Sequence, residues 1–282
     1  IINNLKLKVA LFEKKRSMLR DDISCKDFNA LLNELECIDL VASRVSAFGD
    51  LWFSENTGCE DARAFVAKME QLSAELANKT LFFSLWWKKI GDSVADKLLA
   101  GAGKNKYFLE HLRKLRMHSL EENEEKIINL KDLSGVEAFN KLYDLITSSF
   151  RFPLKVKGEV KSLSVSELLV YIKGSNSKLR ENAYKSLWNV YKNNSAILGE
   201  IYFNVVRDWN NECLNLRRYS SPINVRNKSN DLPDAAIDAL LEACRENRGL
   251  FQEFFKLKGK LLGLKKMSRY HIYAPLEKDD KK

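Results

Sequence analysis

Apolar residues recur three and four apart over two long stretches, and this period is that of a helix. In the first stretch Phe28, Leu31, Leu32, Leu35, Ile38, Val41 and Val45 follow a break at Asp21-Asp22-Ile23-Ser24. In the second, Phe65, Met69, Leu72 and Leu76 run on from Glu60 towards Ile90. Such spacing gathers apolar side chains on one helix face. Ser24, with Asp27 three residues on, reads as an N-cap with an acid in the first turn. Gly49-Asp50 reads as the point where that helix closes. Only 4 Pro and 12 Gly in 282 residues leave little room for linkers or for a turn-rich β fold. The fold class expected is therefore mainly α, a multi-helix assembly.

The remaining stretches fit that frame. Leu5, Val9 and Phe12 share a face of a helix expected from Leu5 to about Arg20. Phe82, Phe83, Trp86 and Trp87 read as helix-to-helix packing in preference to a ligand platform. Gly101-Ala102-Gly103 lacks the strand-before, helix-after setting of a phosphate loop. A short helix is expected from Tyr107 to Arg116. Ser119-Leu120-Glu121-Glu122, Ser134-Gly135-Val136-Glu137 and Ser164-Val165-Ser166-Glu167 each have the form of a capping box. Phe150 to Val156 and Val160 to Leu163 flank Lys157-Gly158-Glu159 and predict one short β-hairpin near residues 150–163. Helix returns from Lys178, again from Ile197 to Leu214, and from Pro233, which sits at a helix start. Between the last two, Arg217 to Asn227 reads as polar and irregular. Phe251 to Leu262 is a helix, Gly263-Leu264 breaks it, and residues 270–275 are expected to be extended. Three regions result: a helical region at 1–105, a second at 106–276, and a charged tail at 277–282.

The chemistry that this chain carries is sparse. Net charge is +9, from 47 basic and 38 acidic residues, an excess spread over mixed-sign helices. Lys88-Lys89, Arg113-Lys114-Arg116, Arg217-Arg218 and Lys256-Lys258-Lys260 read as solvated helix faces. No nucleic-acid motif accompanies them, which argues against a nucleic-acid partner. The five Cys are widely spaced with no C-x-x-C, the pattern of reduced, mostly buried thiols in a cytoplasmic protein. No apolar run approaches the ~20 residues that a membrane span needs. The three histidines, His111, His118 and His271, fall in separate segments, and no H-E-x-x-H pairs any two of them. A hydrolytic zinc site needs such ligands to converge. Glu121-Glu122, Glu124-Glu125 and Asp279-Asp280 read as solvated surface carboxylates. No catalytic and no metal residue is assigned. The chain begins without Met and stops soon after an aromatic stretch, and both ends read as incomplete or processed.

A set of short pieces carries a family resemblance by its order. They are Tyr107-Phe108-Leu109-Glu110-His111-Leu112-Arg113, His118-Ser119-Leu120 with the glutamates after it, and Gly135 with Phe139, Leu142, Tyr143 and Asp144. Leu163 to Leu169 follows, before Leu179-Arg180-Glu181-Asn182-Ala183. Then come Leu216-Arg217-Arg218-Tyr219-Ser220-Ser221-Pro222 with Asn227, and Lys258 to Gly263 with Tyr270 to Leu276. In this order they are similar to the oligoendopeptidase F family, zinc-dependent oligopeptidases related to thimet oligopeptidase. A weaker likeness, including Phe82-Phe83 and Trp86, extends over the N-terminal helices. The resemblance implies a largely helical enzyme that encloses a deep channel. Zinc is held there by two His of H-E-x-x-H and a downstream Glu, with the motif's own Glu as general base. This chain then corresponds to an N-terminal half: part of the channel wall, inactive alone, with zinc expected only in the complete enzyme. Short unfolded peptides are the implied substrates, the C-terminal catalytic half the implied partner, and the cytoplasm the implied location. The family usually has Asp where His271 stands. Arg217, Tyr219, Arg226 and Asn227, in the polar loop, are the candidate peptide-channel contacts, with loop-stabilising hydrogen bonds as their competing role. The alternative function is a helical interaction protein that has lost its peptidase half.

Overall fold

The computed structural model describes residues 1–276, so the charged tail expected at 277–282 lies outside the described residues. Helices make up most of the chain, beside one two-stranded antiparallel hairpin. The chain divides into two compact units. One comprises Ile1–Ala138 with Trp209–Asp231, and the other Phe139–Asp208 with the segment from Leu232 onward.

The first unit is built on α1 (Ile2–Glu13), α2 (Cys25–Glu55) and α3 (Glu60–Lys89). The long helices are those that the apolar spacing predicts, and Ser24 caps α2 by accepting from the Asp27 N–H at 3.0 Å. Two boundaries differ. The first helix gives way at Lys14 to a 3-10 turn that ends at Met18. Gly49 does not close α2. It lies where α2 meets α3, and a Cβ there would stand 3.0 Å from Phe65 Cδ1. The residue serves close approach, and the helix runs on to Glu55. Phe12, Phe28, Phe83 and Trp87 are fully buried in one aromatic core, with Phe28 and Trp87 centroids 5.2 Å apart. Trp87 Nε1 donates to the Leu109 carbonyl at 2.8 Å, so the indole dipole is satisfied inside the core. The aromatic cluster is packing, as expected.

Further helices complete this unit: α4 (Asp92–Ala100), α5 (Lys106–Lys114) and α6 (Glu122–Ser134). The capping box at the start of α6 is not the one expected. Glu121 takes the N-cap position in place of Ser119, and the Glu121 N–H donates to Glu124 at 2.9 Å. Ser134 ends α6, its hydroxyl donating to the Lys131 carbonyl.

The second unit takes up α7 (Val136–Ser149) from Phe139 on, followed by β1 (Phe152–Val156) and β2 (Glu159–Leu163). Phe152, Leu154 and Val156 alternate inward from β1. They pack on α8 (Val165–Lys173) and α9 (Ser177–Asn193) with Leu168, Ile172 and Ala183. Ser164 caps α8 in the full reciprocal box that the sequence predicts. After α10 (Ser195–Trp209), the unit resumes with α12 (Asp234–Glu246), for which Pro233 is the N-cap and not the first helical residue, and α13 (Arg248–Leu261).

The extended segment expected at 270–275 is not extended. Ser268 donates its N–H to His271 Nδ1 at 2.9 Å, closing a 3-10 turn over Arg269–His271. With no strand pairing among the described residues here, this local bond decides the backbone. The thiols also differ from expectation: Cys37 and Cys244 are exposed, and the other three are partly exposed. No described helix is long and apolar enough to cross a membrane.

Candidate functional site

All four candidate contact residues belong to one short stretch of the first unit, Trp209–Asp231. The helix that precedes it widens into a π turn over Asn210–Leu216, a rare geometry that often marks functional sites. The stretch read as irregular is in fact helical from Pro222 to Ser229, here α11. Ser221 caps it by accepting from the Asn224 N–H at 3.2 Å, with Pro222 in the first turn. A capping serine followed by Pro was the signal for this helix.

Arg217 is the hub. Its guanidinium meets Glu125 of α6 through two parallel bonds of 2.8 Å, the bidentate fork that suits Arg and carboxylate. Its Nε donates to Glu212 at 2.6 Å. The π turn makes the second contact possible, because the Arg217 N–H bonds the Glu212 carbonyl five residues back. Glu125 is buried, contrary to the surface role expected of the Glu124-Glu125 pair. It also accepts from the Leu120 N–H at 2.9 Å.

The electrostatics follow from that packing. Burial alone would raise the Glu125 carboxyl, but the bonds from Arg217 and Leu120, with the nearby charges of Arg217 and Lys88, hold it below its ordinary value. Burial works against the Arg217 cation too, and the two carboxylates outweigh it and raise its pKa. Burial, more than any neighbouring charge, pushes Lys88 down.

Tyr219 lies flat on the imidazole of His118, centroids 3.7 Å apart and 11° from parallel. His118 Nδ1 donates to the Arg217 carbonyl at 2.9 Å, while Arg217 donates back to the His118 carbonyl at 3.3 Å. Burial raises the Tyr219 hydroxyl. Arg226 stands over the Trp209 ring at 5.6 Å, a cation–π contact within its own segment. Asn227 is buried. Arg217 and Tyr219 therefore form one cluster with Glu125, Glu212, Lys88 and His118. Arg226 makes a separate contact.

This cluster clasps the loop. The Arg217 donors end on carboxylates and a carbonyl of the chain itself, and the ring faces of Tyr219 and His118 cover each other. The same holds for part of the basic surface. Arg113 donates to the Trp87 and Ile90 carbonyls at 2.9 and 3.2 Å, so it is not the solvated residue expected.

The three histidines do not converge on one point. His111 Nδ1 faces Asp231 at 3.1 Å, His118 is held by Arg217 and Tyr219, and His271 accepts from Ser268. The three histidines stand in different places, and none pairs with another as a hydrolytic zinc site requires.

Comparison with known proteins agrees with the family resemblance. Residues 86–152 match the family model described as Oligopeptidase F. The oligoendopeptidase F homolog of Borreliella burgdorferi is 22% identical over 98% of this chain and 46% of its own length. The group B oligopeptidase PepB of Streptococcus agalactiae is 21% identical over 90% of this chain and 44% of its own. The crystal structure of oligoendopeptidase-F from Enterococcus faecium superposes with a TM-score of 0.82 at 17% identity, covering 99% of this chain and 56% of that one. The chain spans about half the length of the curated relatives that it matches. Over nearly all of its own length it is similar to the N-terminal part of the oligoendopeptidase F family.

Proposed function

We propose that this chain is the N-terminal half of a zinc-dependent oligoendopeptidase, forming part of the channel wall that admits short unfolded peptides. The observation that carries the reading is the lopsided coverage. The likeness runs through 98% of this chain but only 46% of the Borreliella burgdorferi relative. Zinc, when bound, would activate a water for attack on an internal peptide bond. The described histidines do not fit it, so the ligands and the general base are assigned to the portion of the relatives that this chain does not span.

The chain's own contribution is rigidity. The Arg217–Glu125 clasp fixes the π turn and α11 against α6, and α2 with α3 supply a long wall on a dry aromatic core. By itself the chain hydrolyses nothing. In the proposed enzyme Arg217 and Tyr219 act on substrate only through the shape that they hold. Exposed Arg226 remains a candidate peptide contact, while buried Asn227 acts through packing. A cytoplasmic location is part of this reading.

The alternative, a self-sufficient interaction protein, would leave the apolar faces of α12 and α13 in water, at a cost in solubility. The coding sequence downstream of Lys282 tests the proposal. An in-frame H-E-x-x-H supports it. A stop codon with no adjacent gene for a second half overturns it.

A further inference from the structure

Helix α13 is apolar on two sides, and the chain covers one of them. On the covered side Met267 Cγ comes within 3.1 Å of where a Cβ on Gly259 would stand. Lys258 Nζ donates to the Ile272 carbonyl at 2.7 Å. These contacts fold residues 267–272 back onto the helix. At about 100° per residue, Leu250, Phe254, Leu257 and Leu261 all lie within about 40° of the point opposite Gly259. Those four side chains are 51% to 65% exposed.

The neighbouring helix repeats the pattern. On α12, Cys244 follows Leu241 by three and Leu240 by four residues on one face, and all three are exposed. Neither helix contributes a residue to the two buried apolar clusters of the described chain. Scattered apolar residues on a surface are ordinary, but aligned stripes on consecutive helices mark a surface built to be covered. A helix that is apolar on both sides belongs inside a protein.

We propose that the Leu250–Phe254–Leu257–Leu261 stripe, continued by α12, is the surface on which the catalytic half of the peptidase packs. This rests on the function proposed above. The occupant is identified by length: relatives matched along this whole chain carry about as much polypeptide again. Its packing face is apolar, to match the stripe that it covers.

Cys244 is a built-in reporter. The test compares maleimide labelling of Cys244 in the 282-residue chain with labelling in the full translation product of its gene, using exposed Cys37 as control. Labelling of Cys244 is expected to be slower in the full product by on the order of tenfold or more, with Cys37 unchanged. Phe254→Glu in the full product should restore the fast rate, because it buries a charge in the interface. In the isolated chain the same exposed substitution should leave the circular dichroism spectrum unaltered.

Equal Cys244 rates in a longer product overturn the docking surface, and peptide cleavage by that product would then leave the proposed function standing. A product that ends at Lys282 overturns the inference, whether Cys244 is freely reactive or is protected in a concentration-dependent dimer. Protection of Cys244 in a longer product that cleaves no peptide supports the surface and sinks the peptidase reading.

Discussion

Glu125 and Arg217 stand 92 positions apart in sequence and share a partly buried, bidentate ion pair. Removing one partner strands the other in a partly dry site, so Glu125→Ala should cost about 3 kcal/mol. Glu125→Gln keeps an acceptor and should cost less, about 1.5 kcal/mol. Urea unfolding followed by circular dichroism measures both. A double-mutant cycle with Arg217→Met should recover part of the loss, because it removes the stranded charge. The pair also sets an acid limit. The Glu125 carboxyl lies below its ordinary 4.5 when folded, so its contribution is complete above about that pH and is lost as pH falls through the folded value. His271 acts in a different window. Burial first, then Arg180, lowers its pKa from 6.5, so the unfolded chain takes up the proton before the folded one. Stability therefore falls as pH drops below about 6.5, and His271→Phe should abolish that part of a stability–pH profile. None of this chemistry could be read from local spacing. Glu125 lies in a run of acids that looks solvated, and its partner follows a π turn whose five-residue bond no 3.6-residue period anticipates.

Among the helices and the hairpin, what was legible in the sequence was whatever repeats or caps locally. The 28–45 and 65–76 spacings, the Ser24 and Ser164 caps and the hairpin near residues 150–163 all appear in the structure as read. What failed were signals with two meanings. Gly49 is a helix stopper by propensity, yet α2 continues because the residue is wanted for its missing side chain. Gly49→Val should force Phe65 and the two helices apart and cost about 1–3 kcal/mol by the overpacking rule, measured by urea unfolding. Ser164→Ala should cost about 1 kcal/mol through the lost cap. The aromatic run at 270–273 has the composition of a strand, but a strand needs a partner, and the Ser268–His271 bond is nearer. The stretch read as irregular, 217–227, hides α11 because its polar residues point to caps and clasps and not to a periodic apolar face.

At the scale of the molecule, the two buried cores draw on α1 to α5 and on the hairpin with α8 and α9, and they leave the apolar faces of α12 and α13 in water. Replacing Leu250 and Phe254 by Glu should make the isolated chain more soluble and bind less of an apolar dye, with its thermal midpoint nearly unmoved. The central claim, that this chain frames a peptidase channel and holds none of its chemistry, is tested most directly by a peptide-cleavage assay. The assay compares the 282-residue chain with the full gene product on an internally quenched peptide, with and without a zinc chelator. The account predicts chelator-sensitive cleavage by the full product and none by the chain alone. Chelator-sensitive cleavage by the purified 282-residue chain would contradict it.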